Sequence, residues 1–414
     1  MKRKVLVTYG VAVAAVALLT ACSNSSPSSS SSATPSGSAA AGADPFATPN
    51  KATKSPIVVG LVNLEAGPIT APGYRTAAEA AASYVNDYLG GVGGHPIKIE
   101  SCVTDGQPAT SQRCANQLLD KKPVFILGGA DVGGAGAYPA WTRANLAVVG
   151  AVPLTPVEQT YKNGVIFSAI SGPDNAAAVS YASQKGGKSA SVVYTSDAAG
   201  THSGELFQQF FKNTGYTTVK AVPVAPTAAD LSAQAAQVVT AKSDTVAVNT
   251  PVGCGSMLKT LDQLGFKGTK VVIDPCADPK VIAAAGAGAE GMIWGGPFDP
   301  PGASADSTLM AAVIKKYQPA TAPITASYMG FQAVMNAQKY LSPISDKLTT
   351  ESIVGAFQAG SNNANFAAHP FTCDGKQIPG APSICNGYQH IFQYSKGATT
   401  TVGDWVNPAP AMGG

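Results

Sequence analysis

At 414 residues the chain exceeds what one hydrophobic core ordinarily serves, so two domains are expected. Lysine and arginine total 27 against 24 acids, and only 12% of residues are charged. Three of the basic residues fall in the first 21 positions; without them the balance is 24 against 24, which leaves no basic excess to displace counterions from a nucleic acid.

Lys2, Arg3 and Lys4 precede an apolar run over residues 5–19, a pattern that reads as a secretory signal too short to span a bilayer. Its ending, Leu19-Thr20-Ala21-Cys22, resembles a bacterial lipobox. That resemblance implies a lipid on Cys22 and anchoring to the outer face of the cytoplasmic membrane; an ordinary signal with an incidental cysteine is the alternative. Residues 23–55 are Ser, Pro, Ala and Gly with almost no large apolar side chain, so they are expected to form a flexible tether. As a coil it would reach roughly 30 Å.

The folded region opens at residues 57–63, a short apolar run with β-branched Ile and Val that reads as a buried strand. A Gly/Pro-rich loop follows over 65–73. The period then changes: Tyr74, Ala77, Ala78, Ala81, Val85 and Tyr88 recur at helical spacing until the glycines of 90–94. Strand, loop and helix make half of a parallel βαβ unit, in which ligands sit where strand C-termini meet the next loop. Glu65 and Gly67 occupy that loop.

The pattern repeats with strands at 97–103, 124–127 and 147–149 and helices at 107–121 and 138–144. After a crossover over 164–174, a second copy follows. It has helices at 175–184, 203–213, 231–241, 254–264 and 279–285. Its strands lie at 191–195, 219–224, 245–249, 270–273 and 291–295. Pro297 to Pro301 break the run, three helices follow at 307–317, 326–340 and 350–359, and the tail is expected to form a hairpin around Cys373 and Cys385. Such alternation specifies an α/β fold with parallel, doubly wound sheets.

Apart from Cys22, six cysteines remain: Cys102, Cys114, Cys254, Cys276, Cys373 and Cys385. An even count in an exported chain reads as three disulfides, with fifteen pairings open and neighbour pairing the simplest. No CxxC occurs and the four histidines are scattered, so no metal and no cofactor is expected. Residues 286–291 match GxGxxG, but a helix precedes them and a strand follows, the reverse of a dinucleotide site.

Several motifs together carry a family resemblance. They are the first strand, the Gly73, Asn86, Gly94 spacing, Asp105, Tyr194-Thr-Ser-Asp197 with Gly200, Gly288-Ala-Glu-Gly-Met292, and Tyr328-Met-Gly-Phe-Gln-Ala-Val334. In order and spacing they resemble the type I periplasmic binding proteins of branched-chain amino acid type, the solute receptors of ABC importers. The resemblance implies two Rossmann-like lobes joined by hinge strands, residues 56–170 plus 297–369 and residues 171–296 plus 370–408. Ligand would lie in the cleft between them. It implies an extracytoplasmic lipoprotein that captures a small, partly apolar molecule (amino-acid-like, amide, amine or short carboxylate) by hinge closure. It further implies an ABC permease as partner, a monomer, and no enzymatic activity.

Candidate contacts are Glu65 and Gly67 in the first loop, and Asp131, Val132 and Gly133 after the third strand. Val152, Leu154 and Thr155 follow the fourth, Thr201 and His202 open a helix of the second lobe, and Thr250 and Asp274 end two of its strands. In the family, the loop holding Asp131 often offers a hydroxyl to a ligand carboxylate, and here it has none. Asp131 has a competing role in bonding its own loop backbone, and Glu65 and Asp274 in capping. Two rival readings are a sensory receptor of the same fold and a secreted α/β hydrolase. Against the latter, Gly-x-Ser-x-Gly is absent, and His202 and Ser203 are neighbours whose side chains diverge.

Overall fold

The computed structural model describes residues 44–67 and 70–414; Cys22, the export signal and most of the Ser-rich segment lie outside the described residues. Alternation begins with β1 (Ile57–Leu64), α1 (Pro72–Tyr88), β2 (Ile97–Thr104), α2 (Pro108–Leu119) and β3 (Phe125–Leu127). It continues through α3 (Gly134–Arg143), β4 (Val148–Val149), α4 (Pro156–Thr160) and β5 (Gly164–Val165). The strands form a five-stranded, all-parallel sheet in the order β2-β1-β3-β4-β5. β1 is buried along almost its whole length, as expected of a parallel strand covered on both faces.

The second body contains α5 (Pro173–Ser183), β6 (Ser189–Thr195), α6 (Ala198–Asn213), β7 (Thr218–Val224), α7 (Ser232–Thr240) and β8 (Thr245–Asn249). α8 (Cys254–Gln263), β9 (Thr269–Val272), α9 (Pro279–Ala285) and β10 (Met292–Gly296) follow. The chain then returns to the first body as α10 (Ala305–Tyr317), α11 (Thr325–Leu341) and α12 (Thr350–Gln358), whose apolar faces join the core around β1. It crosses once more into β11 (His390–Ser395) and β12 (Ala398–Thr401), an antiparallel hairpin beside β10, and ends in α13 (Ala409–Met412). The second sheet has seven strands, ordered β12-β11-β10-β9-β8-β6-β7.

α1 and α11 pack closely because Gly330 has no side chain: a Cβ there would lie 2.1 Å from the Tyr74 carbonyl oxygen. The Tyr74 hydroxyl donates to the carbonyl of Gly150, at the C-terminal end of β4. Gly150 has φ +72°, and a Cβ on it would strike Ala333 of α11. The helix pair thus positions the loop that follows β4.

Neighbour pairing of the cysteines holds: Cys102–Cys114, Cys254–Cys276 and Cys373–Cys385 are disulfides with Cα separations of 5.4, 5.9 and 4.3 Å. The second joins the start of α8 to the turn after β9, and so fixes the position of Asp274 two residues away.

Three features differ from the sequence reading. The tether does not extend to residue 55. Phe46 packs edge-on against Tyr84 and Tyr88, and Lys316 Nζ lies 4.1 Å from its ring centre. The amides of Asn50, Ala52, Thr53 and Lys54 donate to carbonyls of Asp87, Asn86 and Gly94. One large aromatic in a Ser-rich stretch found a ready cluster. Second, residues 371–385 pack with the first body although the sequence reading gives everything from 370 to the second. Phe371 is fully buried against Phe167 and Phe357, and Ile384 bridges Ile166 beside β5. Third, the tail hairpin lies at β11–β12, beyond the cysteines rather than around them. Among the described residues, no helix is long and apolar enough to cross a membrane.

Candidate ligand-binding cleft

The C-terminal ends of β9 and β10, the crossover that follows β10, and the start of α11 define a cavity of about 390 Å³ where the two cores meet. From the second body come Asp274 and Pro275 after β9, Trp294 and Gly296 of β10, and Phe392 of β11. The first body contributes Phe298 from the crossover and Ile324, Thr325 and Tyr328 from the start of α11. The aromatic rings come in two pairs, one from each core. Trp294 and Phe392 stack with centroids 5.6 Å apart, and Phe298 and Tyr328 lie 5.1 Å apart. Gly296 is the glycine this arrangement needs, since a Cβ there would lie 2.6 Å from the Phe392 ring.

Asp274 presents its carboxylate to this cavity with no hydrogen-bond or ion-pair partner among the described residues. Protein crowds it on the concave wall while a good part of its surface still meets solvent. That crowding, with the like charge of Asp174 behind it, lifts its pKa to about 6. Asp299, also on the wall, accepts from His390 Nε2 at 3.1 Å, and this bond holds its carboxyl below the usual range. His390 stacks on Trp405, and His369, stacked on Tyr388, lies edge-on to the same tryptophan. Burial lowers the pKa of His369.

Of the residues expected from sequence, only Asp274 lines this cavity. Glu65 is held by Arg75, whose Nε and Nη2 each approach a carboxylate oxygen at 2.8 Å, and by the Asn63 amide. Gly67 is exposed, with φ +90°. Asp131 is buried and accepts from Ser111 Oγ and from the Gly133 amide, the loop-bonding role. Gly133 is buried at the start of α3, and Val132 is 50% exposed.

Val152 and Leu154 pack into the first core. Thr155 caps α4: its amide and hydroxyl both donate to Glu158 Oε2, and its hydroxyl is thereby turned inward. Thr201 and His202 straddle the first and second turns of α6, with His202 exposed, and Ser203 accepts from Asn249 instead of pairing with His202. Thr250 is buried and donates to the carbonyl of Val252. The polar loop residues are therefore mostly the means by which each loop holds its own shape. The cavity's aromatics, Trp294, Phe298, Tyr328 and Phe392, were missed. Their one sequence signal is position, at the two crossovers around the proline run 297–301.

Glu158 is the most perturbed acid of the first body. It is 3% exposed, its Oε1 has no partner, and burial raises its pKa to about 7 although Thr155 pulls the other way. The Tyr138 hydroxyl nearby is likewise buried without a partner.

Residues 56–379 match the family model described as periplasmic binding protein. The chain belongs to that family. Among solved structures it is similar to an ABC transporter substrate-binding protein from Sphaerobacter thermophilus, with 16% identity and a TM-score of 0.71, over 86% of this chain and 98% of that one. A leucine binding protein from Thermotoga maritima superposes with a TM-score of 0.64 at 17% identity, over 85% and 99%. A solute binding protein of an ABC transporter from Rhodopseudomonas palustris BisB5, in complex with 3,4-dihydroxy benzoic acid, gives 0.67 at 17%, over 86% and 98%. No curated protein matches the sequence significantly. This periplasmic binding protein therefore shares its two-lobed α/β fold with receptors whose ligands range from an amino acid to a benzoate.

Proposed function

We infer that this periplasmic binding protein is the extracytoplasmic receptor of an ABC importer, held to the membrane by lipid on Cys22. It captures a small, partly apolar solute between its lobes and presents it to a permease. The observation that carries this reading is the cavity where the two cores meet, at strand C-termini and beside chain crossovers, with an aromatic pair from each lobe. A solute touching both walls favours the closed arrangement by its differential affinity, which is how occupancy becomes legible to a partner. Ile324, just before α11, lines the cavity and is 48% exposed. Closure over a partly apolar solute gives it something to cover. No catalytic step is assigned.

A thermal-shift screen over amino acids, amides, amines, short acids and aromatic compounds tests the reading. A ligand at 100 times its dissociation constant adds about 2.7 kcal/mol of stability. Stabilisation only by sugars or metal ions would refute it.

A further inference from the structure

We propose that the end of the first body where its strands begin, and where residues 44–54 are fastened, is a membrane-docking face. It settles on anionic lipid headgroups and leaves the cavity clear of them. This rests on the reading that Cys22 carries lipid. The chain is tied down as soon as it enters the described region. Phe46 packs on Tyr84 and Tyr88 at the end of α1, and Lys54 pairs with Asp346 at 3.7 Å. The amides between them bond to the end of α1 and the turn after it. As a coil, the chain between Cys22 and Asp44 would reach roughly 25 Å. A folded chain of this size spans about 50 Å, so lipid at Cys22 would keep one end nearer the bilayer, and that end belongs to the first body.

Charge favours the same end. Because the first sheet is all-parallel, its strands begin along one edge. Lys51, Lys121, Lys122, Lys162, Lys315 and Lys347 lie at this end, exposed and without an ion pair among the described residues. Most of the acids beside them are taken. Asp44 accepts from the Phe46 amide, Asp87 from the Tyr317 hydroxyl and Glu351 from Asn145, while Asp346 and Glu100 pair with Lys54 and Lys98. Asp120 remains. At the opposite ends of β1, β2 and β3 come Glu65, Asp105 and Asp131, so a negative surface attracts one end of this body and repels the other. Helix C-termini also draw lysines to such an edge, but their field is spent within a turn. Lysine charge acts on headgroups over a Debye length of about 8 Å. α11 runs from Tyr328 at the cavity to Leu341 beside this edge, about 20 Å at helical rise, so docking leaves the cavity open. The second body also has lysines before its strands, Lys188 and Lys267 among them. What singles out the first body is that the chain enters there.

The test is resonance energy transfer from the acylated protein, made from the full chain, to a dye-bearing lipid in vesicles. With Cys22 acylated and the other six cysteines paired, an introduced cysteine is the free thiol to label. Donors are placed at Lys315→Cys in the first body or Lys188→Cys in the second. In phosphatidylglycerol vesicles the first-body donor should transfer at least about twice as efficiently, given a span of about 50 Å. Its transfer should fall in phosphatidylcholine vesicles, and should fall likewise in phosphatidylglycerol when Lys121, Lys122 and Lys347 are all changed to Gln. These lysines are exposed, so the wild-type circular dichroism spectrum is expected to persist. Equal transfer from the two donors, or stronger transfer from the second body, overturns the proposal. Transfer from the first body that ignores lipid charge and the lysine changes means that the tether alone positions the protein, and also overturns it. Protein that does not float with the vesicles refutes lipid on Cys22, and the docking face falls with that reading.

Discussion

Replacing Glu158 by Gln preserves the outline of a buried side chain while removing its proton equilibrium. The acid's Oε2 takes both the amide and the hydroxyl of Thr155, and a glutamine oxygen can accept the same two bonds. The other oxygen faces no donor, so an amide nitrogen there loses nothing and comes near the unpartnered Tyr138 hydroxyl. Burial lifts the folded pKa from 4.5 to about 7. Below pH 4.5 the carboxyl is protonated folded or unfolded and has no effect on stability. Between 4.5 and 7 the unfolded chain ionises while the folded chain keeps its proton, so stability falls as pH rises. Above 7 the loss is complete, at roughly 3 kcal/mol from about 1.4 kcal/mol per tenfold change in proton affinity. Urea unfolding of both proteins at pH 4, 6 and 8 measures this. The stability difference, variant minus wild type, should increase by about 3 kcal/mol from the lowest pH to the highest. A difference that does not change with pH would refute the reasoning, and would mean that water reaches Glu158 or that a donor satisfies it.

Phe46→Ala should lower stability by about 1 kcal/mol, the scale of an aromatic pair with a cation above it, and should release the amides of Asn50 to Lys54 to hydrogen exchange. Unchanged protection there would show that the backbone bonds alone hold the segment. Removing the Cys102–Cys114 bridge with a double serine variant should reduce the unfolding free energy by about 3 kcal/mol, as expected for a loop of this length, measured by denaturant titration. Gly330→Ala forces a methyl onto the Tyr74 carbonyl, so the melting temperature should drop through a loss of about 1–3 kcal/mol, and a neutral result would show that α1 and α11 can separate freely.

The strands and helices were legible because period and punctuation agree along most of the chain. β1 is β-branched and bounded by a Gly/Pro loop, and α8 and α9 begin and end within a residue or so of where their patterns do. The disulfides followed from proximity in sequence. What escaped was set by tertiary packing. α4 is only five residues long and is held by the Thr155–Glu158 capping box. Phe46 is one residue whose partners lie some forty and two hundred and seventy positions away in the chain. Residues 371–385 show no period at all, so only Phe371 in the first core reveals which lobe they join.

The site was harder for a related reason. Acids and hydroxyls in loops after parallel strands suggest ligands, but Glu65, Asp131 and Thr155 each find a nearby donor or acceptor and use it to shape the loop. Among the described residues Asp274, on the cavity wall, finds no such neighbour. The aromatics are spread over β10, the crossover, α11 and β11, and nothing in their spacing announces that the topology brings them to one cavity.

The chain's three tryptophans are Trp141, buried in the first body, Trp405, stacked on His390, and Trp294 on the cavity wall. With Trp141 and Trp405 changed to phenylalanine, emission at Trp294 reports on the junction of the two lobes alone. Titration with any compound that raises the melting temperature should change that emission saturably, with the same dissociation constant that calorimetry gives. A compound that binds and stabilises while leaving Trp294 emission untouched would place the solute elsewhere and contradict the account.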